Sequence, residues 1–296
     1  MRIRLAGVLL SVLAGSAPLV GWSLQQALDA SMGNASGAAL VLSVSSGQLL
    51  ASYRLDVATL RLAAPGSTIK PFTLLALIHS GRFNPREQLR CHRTVNLAGH
   101  RLDCTHPDPP SSLDAVEALA YSCNSYFAKA GAHLTDKDLR QEFERAGFFS
   151  KTELLPREAS GKMLHSESVE QLQLQALGAS GIELTPAELA YAYRALARRR
   201  RDDHDPALFV VYAGLEGSTS YGMAHPAQPS GFAVAGKTGT ASSPHSAATH
   251  GWFAGYAPAQ NPRIVVVVYL ERGRGMDAAA VAQKVFVAFQ RLGDKR

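Results

Sequence analysis

Charge, cysteine and long apolar runs are all scarce in this chain of 296 residues. Charged residues make up 18% against 46% hydrophobic ones, a balance that excludes a disordered chain and suits one large domain or two lobes around a sizeable core. Only three cysteines occur, so at least one thiol has no disulfide partner within the chain. No pair among Cys91, His92, His100, Cys104 and His106 has CxxC or HxxxH spacing, and no metal is expected. There is no internal repeat and no low-complexity linker. Aromatics do not interleave with the one basic run, 198–201, which Asp202, Asp203 and Asp205 follow at once. That run reads as a solvated helix end or loop, so no nucleic-acid partner is expected despite the net charge of +6.

One apolar stretch stands out. Arg2 and Arg4 precede an uncharged run, 5–19, which closes on small residues through Ser23, the layout of a secretory signal peptide. Residues 1–23 are read as that signal, or as an uncleaved N-terminal anchor, and 24–296 as the exported part. Any membrane contact is expected only through this segment; no second segment is long enough to span. The cysteines then meet an oxidising compartment. Cys91 and Cys104 flank "HRTVNLAGHRLD", which alternates around a central Ala98-Gly99 turn, and a disulfide between them is expected. Cys123 is left over as a small buried side chain that points away from any cleft.

Elements follow from periodicity. "AALVLSVSSGQLLASYR" reads as two strands around Ser46-Gly47. Helical signals cover 67–79, 113–121, 125–132, 136–146 and 170–177, and another helix opens at "LTPAELAYAYRALA", with Thr185 as cap and Pro186 at the first turn. Beyond Pro206, "ALFVVYA", "FAVAGKTGTA", "HGWFAGYAP" and "RIVVVVYLE" read as strands, and an apolar helix covers 278–289. The expected class is α+β in α/β/α layers: an antiparallel sheet built from both termini and flanked by helices, with an inserted all-helical lobe. The sheet lobe is placed at 24–64 and 206–296, the helical lobe at 65–205.

Chemistry enters at "APGSTIKPF", 64–72, where a serine and a lysine stand three residues apart at the head of an apolar helix. At that spacing Ser67 and Lys70 share one helical face. A lysine held in an apolar setting is partly desolvated, which lowers its pKa and makes it a base for a serine nucleophile. The helix N-terminus suits a developing anion. SxxK alone is a frequent accident. "YSCNSYF" adds Ser122 and Asn124 at a helix break, and "AGKTGTAS" adds Lys237, Thr238, Gly239 and Thr240 on a strand. SxxK, SxN and KTG each occur once, in that order.

In these motifs, and in the flanking "GAALVLSVSSGQLLAS", "LGASGIELTPAELAYAYRALA" and "GWFAGYAP", the chain resembles the penicillin-binding protein transpeptidase and serine β-lactamase superfamily. The resemblance implies acyl transfer on D-Ala-D-Ala ended peptidoglycan stem peptides, a D,D-transpeptidase or D,D-carboxypeptidase that β-lactams also acylate, at the outer face of the cytoplasmic membrane or in the periplasm of a bacterium. It implies Ser67 as nucleophile, Lys70 as general base and Ser122 as proton relay. Asn124, Lys237, Thr238, Gly239 and Thr240 would bind substrate, and the Ser67 and Thr240 amides would form an oxyanion hole. No organic cofactor or metal is needed. Gly239 is expected to let the substrate backbone approach the strand.

Two other readings stay open. A serine β-lactamase needs a means of activating water; class A members carry a glutamate in an ExxxN pattern, and here Glu153, Glu158, Glu167 and Glu170 have no such asparagine. Class D members usually read SxV rather than SxN. A sensor or binding domain for β-lactams or muropeptides shares the acylation chemistry but usually sits behind transmembrane helices. Wall-building members of the superfamily usually carry a large N-terminal pedestal or a glycosyltransferase domain, whereas only about 40 residues separate the expected signal from Ser67, and a cell-envelope protein partner is expected. His245 and His250 flank the loop after KTGTAS, and a surface or structural placement is expected for both.

Overall fold

A computed structural model describes residues 23–107, 112–202, 204–242 and 248–293, so the expected export segment up to residue 22 and His245 lie outside the described residues. The chain opens with α1 (Leu24–Met32), β1 (Gly37–Ser43), β2 (Leu49–Tyr53) and α2 (Leu55–Leu60). A 3₁₀ turn, Gly66–Ile69, leads into α3 (Lys70–His79); β3 (Thr94–Leu97) and β4 (His100–Asp103) form a hairpin. Then come α4 (Ala115–Ala120), α5 (Asn124–Gly131), α6 (Asp136–Arg145), β5 (Lys162–Met163), α7 (Val169–Ala176), β6 (Ile182–Glu183), α8 (Pro186–Asp202) and α9 (Pro206–Ser220). The chain closes with β7 (Ala235–Ser242), β8 (Thr249–Ala257), β9 (Ile264–Leu270) and α10 (Gly275–Gly293).

The main sheet runs β2-β1-β9-β8-β7, antiparallel throughout, so strands from both ends of the chain meet where β1 pairs with β9. Both of its faces are buried. Leu40, Leu42, Trp252, Tyr256, Val265 and Val267 point toward the inserted helices, while Val41, Phe253, Val266 and Val268 point toward α1 and α10. A strand covered on both sides has no polar register to show, which is why β9 reads Ile-Val-Val-Val-Val. Among the described residues no helix is long and apolar enough to cross a membrane.

The expected elements largely form. Thr185 caps α8, its hydroxyl accepting from Glu188 N at 3.1 Å while the Glu188 carboxylate accepts from Thr185 N at 2.8 Å. Ala98 and Gly99, both at positive φ, turn the β3-β4 hairpin. One element differs: "ALFVVYA", expected as a strand, lies inside α9, and the sheet resumes at Ala235 rather than Pro206. Asp205 caps α9 by accepting from Ala207 N, and Pro206 occupies its first turn. Helix α9 is packed between α4 and β7, and an apolar run buried on most sides carries no period that separates helix from strand.

Candidate active site

The three sequence motifs converge. The 3₁₀ turn holds Ser67 half-exposed between buried neighbours, and its tight three-residue period places Ser67 directly before Lys70, the first residue of α3. Several elements clamp this turn. Gly66 N donates to Gly178 O at 2.9 Å; the Thr68 hydroxyl donates to Pro65 O at 2.7 Å. From α8, the Tyr193 hydroxyl donates to Thr68 O at 2.8 Å. From the first helical turn, Thr73 donates to Ala176 O at 2.7 Å. Gly178, at φ +70°, comes so close that a Cβ there would lie 2.1 Å from Gly66 O. Gly66, Tyr193 and Gly178 carry no catalytic signature in the sequence, and only the packing of the cleft reveals their part in it.

Lys70 is fully buried in an apolar helix face, and its Nζ donates to Ser122 O at 2.9 Å and to Asn124 Oδ1 at 2.7 Å. Burial, the dominant cause, lowers its pKa to about 8. Ser122 sits at the break between α4 and α5 with φ +57°, a conformation uncommon outside glycine, which turns the backbone carbonyl toward the lysine. Asn124 bridges two elements, since its Nδ2 also donates to Asp103 O at 3.1 Å at the end of β4.

Strand β7 brings the third motif to the same turn. Lys237 is fully buried, its Nζ donates to Thr238 O at 3.1 Å, and burial, helped by the charge of Lys70, holds its pKa well below the ordinary lysine value. The Thr240 hydroxyl accepts from Gly275 N at 3.0 Å and keeps its own proton to donate. Gly66 packs on the Thr240 backbone so closely that a Cβ on Gly66 would lie 2.9 Å from Thr240 N. A Cβ on Gly239 would meet Pro65 O at 2.5 Å and Thr68 Cγ2 at 2.9 Å, so this glycine is what lets the strand lie against the nucleophile turn. A groove of about 400 Å³ continues along this end of β7, past Thr240, Ala241, Ala63, Gly181 and His250. His250 itself is buried, hydrogen-bonded at Nδ1 to Glu271 O, a structural placement as expected.

The expected Cys91–Cys104 disulfide is not formed; all three thiols are free. The hairpin does bring the two together, but His106 and Cys123 crowd into the same space, and the sulfurs face a common point instead of pairing. Cys104 Sγ lies 3.8 Å from Cys123 Sγ, beyond the ~2.05 Å of an S–S bond, and Cys91 Sγ lies 3.6 Å from His106 Nε2. His92 and His100 are not in this cluster.

The model of the penicillin binding protein transpeptidase domain matches residues 37–289. The chain is 26% identical to stage V sporulation protein D of Bacillus subtilis (strain 168) over 254 residues, 71% of this chain and 38% of that protein. It is 24% identical to peptidoglycan D,D-transpeptidase MrdA of Acinetobacter baumannii over 282 residues, 75% of this chain and 41% of that protein. With the probable peptidoglycan D,D-transpeptidase PenA of Neisseria flavescens it shares 25% over 273 residues, 81% of this chain and 66% of that one. It thus spans between 38% and 66% of the length of these relatives. In fold it is similar to the D,D-transpeptidase domain of a peptidoglycan glycosyltransferase from Eggerthella lenta (TM-score 0.80, 22% identity, 92% of this chain and 82% of that one). It is also similar to Pseudomonas aeruginosa PBP2 in complex with WCK 5153 (TM-score 0.78, 24% identity, 90% of this chain and 76% of that one). Because the family model takes in all three motifs and every strand of the main sheet, the chain belongs to the penicillin binding protein transpeptidase domain family.

Proposed function

We propose that the chain is a penicillin-binding serine acyltransferase, a D,D-transpeptidase or D,D-carboxypeptidase acting on D-Ala-D-Ala ended peptidoglycan stem peptides. One observation carries this reading: a fully buried lysine with its pKa lowered to about 8 stands one 3₁₀ turn after a half-exposed serine, held by both residues that flank the centre of SxN. Ser67 Oγ attacks the penultimate D-Ala carbonyl as its proton passes to Lys70 Nζ, directly or through Ser122. The developing oxyanion is met by the Ser67 and Thr240 amides, each donor contributing on the order of 3 kcal/mol. The terminal D-Ala leaves as an amine that takes the proton back, leaving a Ser67 ester. An acceptor amine then resolves the ester by transpeptidation, or water by carboxypeptidation. Lys237, Thr238 and Thr240 hold the terminal carboxylate, and Asn124 holds the amide of the donor strand.

A β-lactam acylates the same serine, and the carboxylates weighed for water activation support slow release of that ester. The Glu158 carboxylate accepts from Thr152, Glu153 and Leu155 N in its own loop, and Glu170 accepts from Ala98 N at the hairpin tip. Glu153 and Glu167 are exposed. In this reading residues 1–23 direct export, and the protein works in the periplasm or at the outer face of the cytoplasmic membrane, with an envelope protein as partner.

The test is covalent labelling with a fluorescent penicillin, followed from seconds to hours beside Ser67→Ala, together with D-Ala release from a D-Ala-D-Ala peptide with and without an amine acceptor. Persistent label on the parent alone, with D-Ala release, is expected. No label on either protein overturns the Ser67 mechanism, and rapid loss of label with drug hydrolysis makes the protein a β-lactamase.

A further inference from the structure

The middle residue of the SxN motif is a cysteine, and its side chain meets three further ligand-type groups. Cys91 Sγ, Cys104 Sγ, His106 Nε2 and Cys123 Sγ all lie within 4.8 Å of one another. Cys104, His106 and Cys123 are buried and Cys91 is half-buried. With zinc–sulfur bonds of about 2.3 Å and zinc–nitrogen bonds of about 2.0 Å, a tetrahedral ion sets S···S edges of about 3.8 Å and S···N edges of about 3.6 Å. Two contacts within the cluster match these edges: Cys104 Sγ to Cys123 Sγ at 3.8 Å and Cys91 Sγ to His106 Nε2 at 3.6 Å.

The surroundings suit ligands rather than spare thiols. Each sulfur accepts one backbone N–H at 3.4 Å: Arg93 N to Cys91, Ser125 N to Cys104 and Tyr126 N to Cys123. His106 Nδ1 lies 2.7 Å from Pro107 O and 3.3 Å from the Arg93 guanidinium; the shorter contact is to a carbonyl, which only accepts, and so favours the ring proton on Nδ1 with the Nε2 lone pair toward Cys91. Two elements supply the set, the β3-β4 hairpin with its flanks (Cys91, Cys104, His106) and the N-cap of α5 (Cys123).

We propose that these four residues bind one thiophilic divalent cation of the zinc class, and that the ion ties the β3-β4 hairpin to the segment that carries Ser122 and Asn124. Binding exchanges three thiol protons for the cation, leaving three thiolates and a neutral imidazole around it, with no redox change. The junction is the one the candidate site depends on. Asn124 reaches Asp103 O beside Cys104, His92 N donates to Ser125 Oγ at 3.0 Å beside Cys91, and Lys70 is held by Ser122 O and Asn124 Oδ1. The ion positions these groups without touching substrate. This positioning effect rests on the acyltransferase reading; the metal site does not.

The test begins with the full exported chain, purified under reducing conditions with zinc present and freed of loose metal, and its metal content measured by mass spectrometry. About one equivalent of zinc is expected. Exchange with cobalt should give a thiolate-to-cobalt charge-transfer band and the strong visible bands of a tetrahedral ion. Cys91→Ser and His106→Ala should lower the bound metal at least tenfold, while His92→Ala, outside the cluster, keeps it. Since a ligand variant can fail by misfolding, the parent is also treated with a chelator: it should lose melting temperature, recover it on adding zinc, and expose three reactive thiols. Penicillin acylation should slow on chelation and recover with zinc. Substoichiometric metal without the cobalt band overturns the site, as does a thiol count of one, which would mean a disulfide. Stoichiometric metal with acylation unaffected by chelation overturns the positioning effect alone, and metal with no acylation under any condition counts instead against the Ser67 mechanism.

Discussion

Gly239 is the point where the strand carrying KTG touches the turn carrying Ser67, and adding one carbon there tests whether that contact sets the site's geometry. In Gly239→Ala the new Cβ would stand 2.5 Å from Pro65 O, 2.9 Å from Thr68 Cγ2 and 3.1 Å from Thr68 N, backbone and a locked side chain with no flexible end to swing away. Ordinary contact, about 3.4 Å or more, requires strand and turn to part by about 0.9 Å. The strand is held to β8 along its length, and the turn is clamped by Gly178 and Tyr193, so the strain divides between them. Overpacking of this kind costs about 1–3 kcal/mol of stability. The larger effect is on rate. Thr240 N and Ser67 N sit on opposite sides of this contact, and a misplacement of about 1 Å in a catalytic constellation costs on the order of 10²-fold, or about 2.7 kcal/mol of barrier. The second-order rate constant for acylation by a fluorescent penicillin, measured beside the melting temperature, is the assay. Acylation within threefold of the parent and an unchanged melting temperature would refute the argument that this glycine keeps the two donors in register.

Lys70→Arg keeps the charge but cannot give up a proton, so acylation should fall by about 10²- to 10⁴-fold. In the parent, acylation should rise as pH passes upward through about 8, where Lys70 becomes the free base; a flat or falling rate there would count against its role. Thr185→Ala removes the α8 cap and one donor to the buried Glu188 carboxylate, with an expected loss of about 1–2 kcal/mol in chemical denaturation; a loss below a few tenths would show that the cap contributes little. His79 sits 2.9 Å from both Glu142 and Asp205; burial works against its charge, but the two carboxylates win and raise its pKa. The resulting stability is fully present below the unfolded value near 6.5 and fades as pH rises through the folded value, so His79→Gln should cost more at about pH 5.5 than at about pH 9. Equal costs at the two pH values would disprove the pairing.

Much of this protein is decided by local sequence. The helix head at Ser67 and Lys70, the break at Ser122 and Asn124, the Thr185 cap and the Ala98-Gly99 turn all follow from residues within a few positions of one another, and each forms where expected, except that the helix head at Gly66–Ile69 is wound as a 3₁₀ turn. Tertiary packing decided the rest. Helix α9 gave no reliable local signal because it is apolar nearly all round, and only its place between α4 and β7 makes it a helix. The reason for Gly239 lies in Pro65 and Thr68, more than 170 positions away, and no local pattern records such a contact. The cysteines show the limit most clearly. Spacing along the chain pairs Cys91 with Cys104, because a hairpin joins them; the fold adds His106 and Cys123 to the same point, because α5 starts against that hairpin. Ligand sets and nucleophile clamps are properties of distance in space, which sequence separation encodes only when a single turn or hairpin closes the gap.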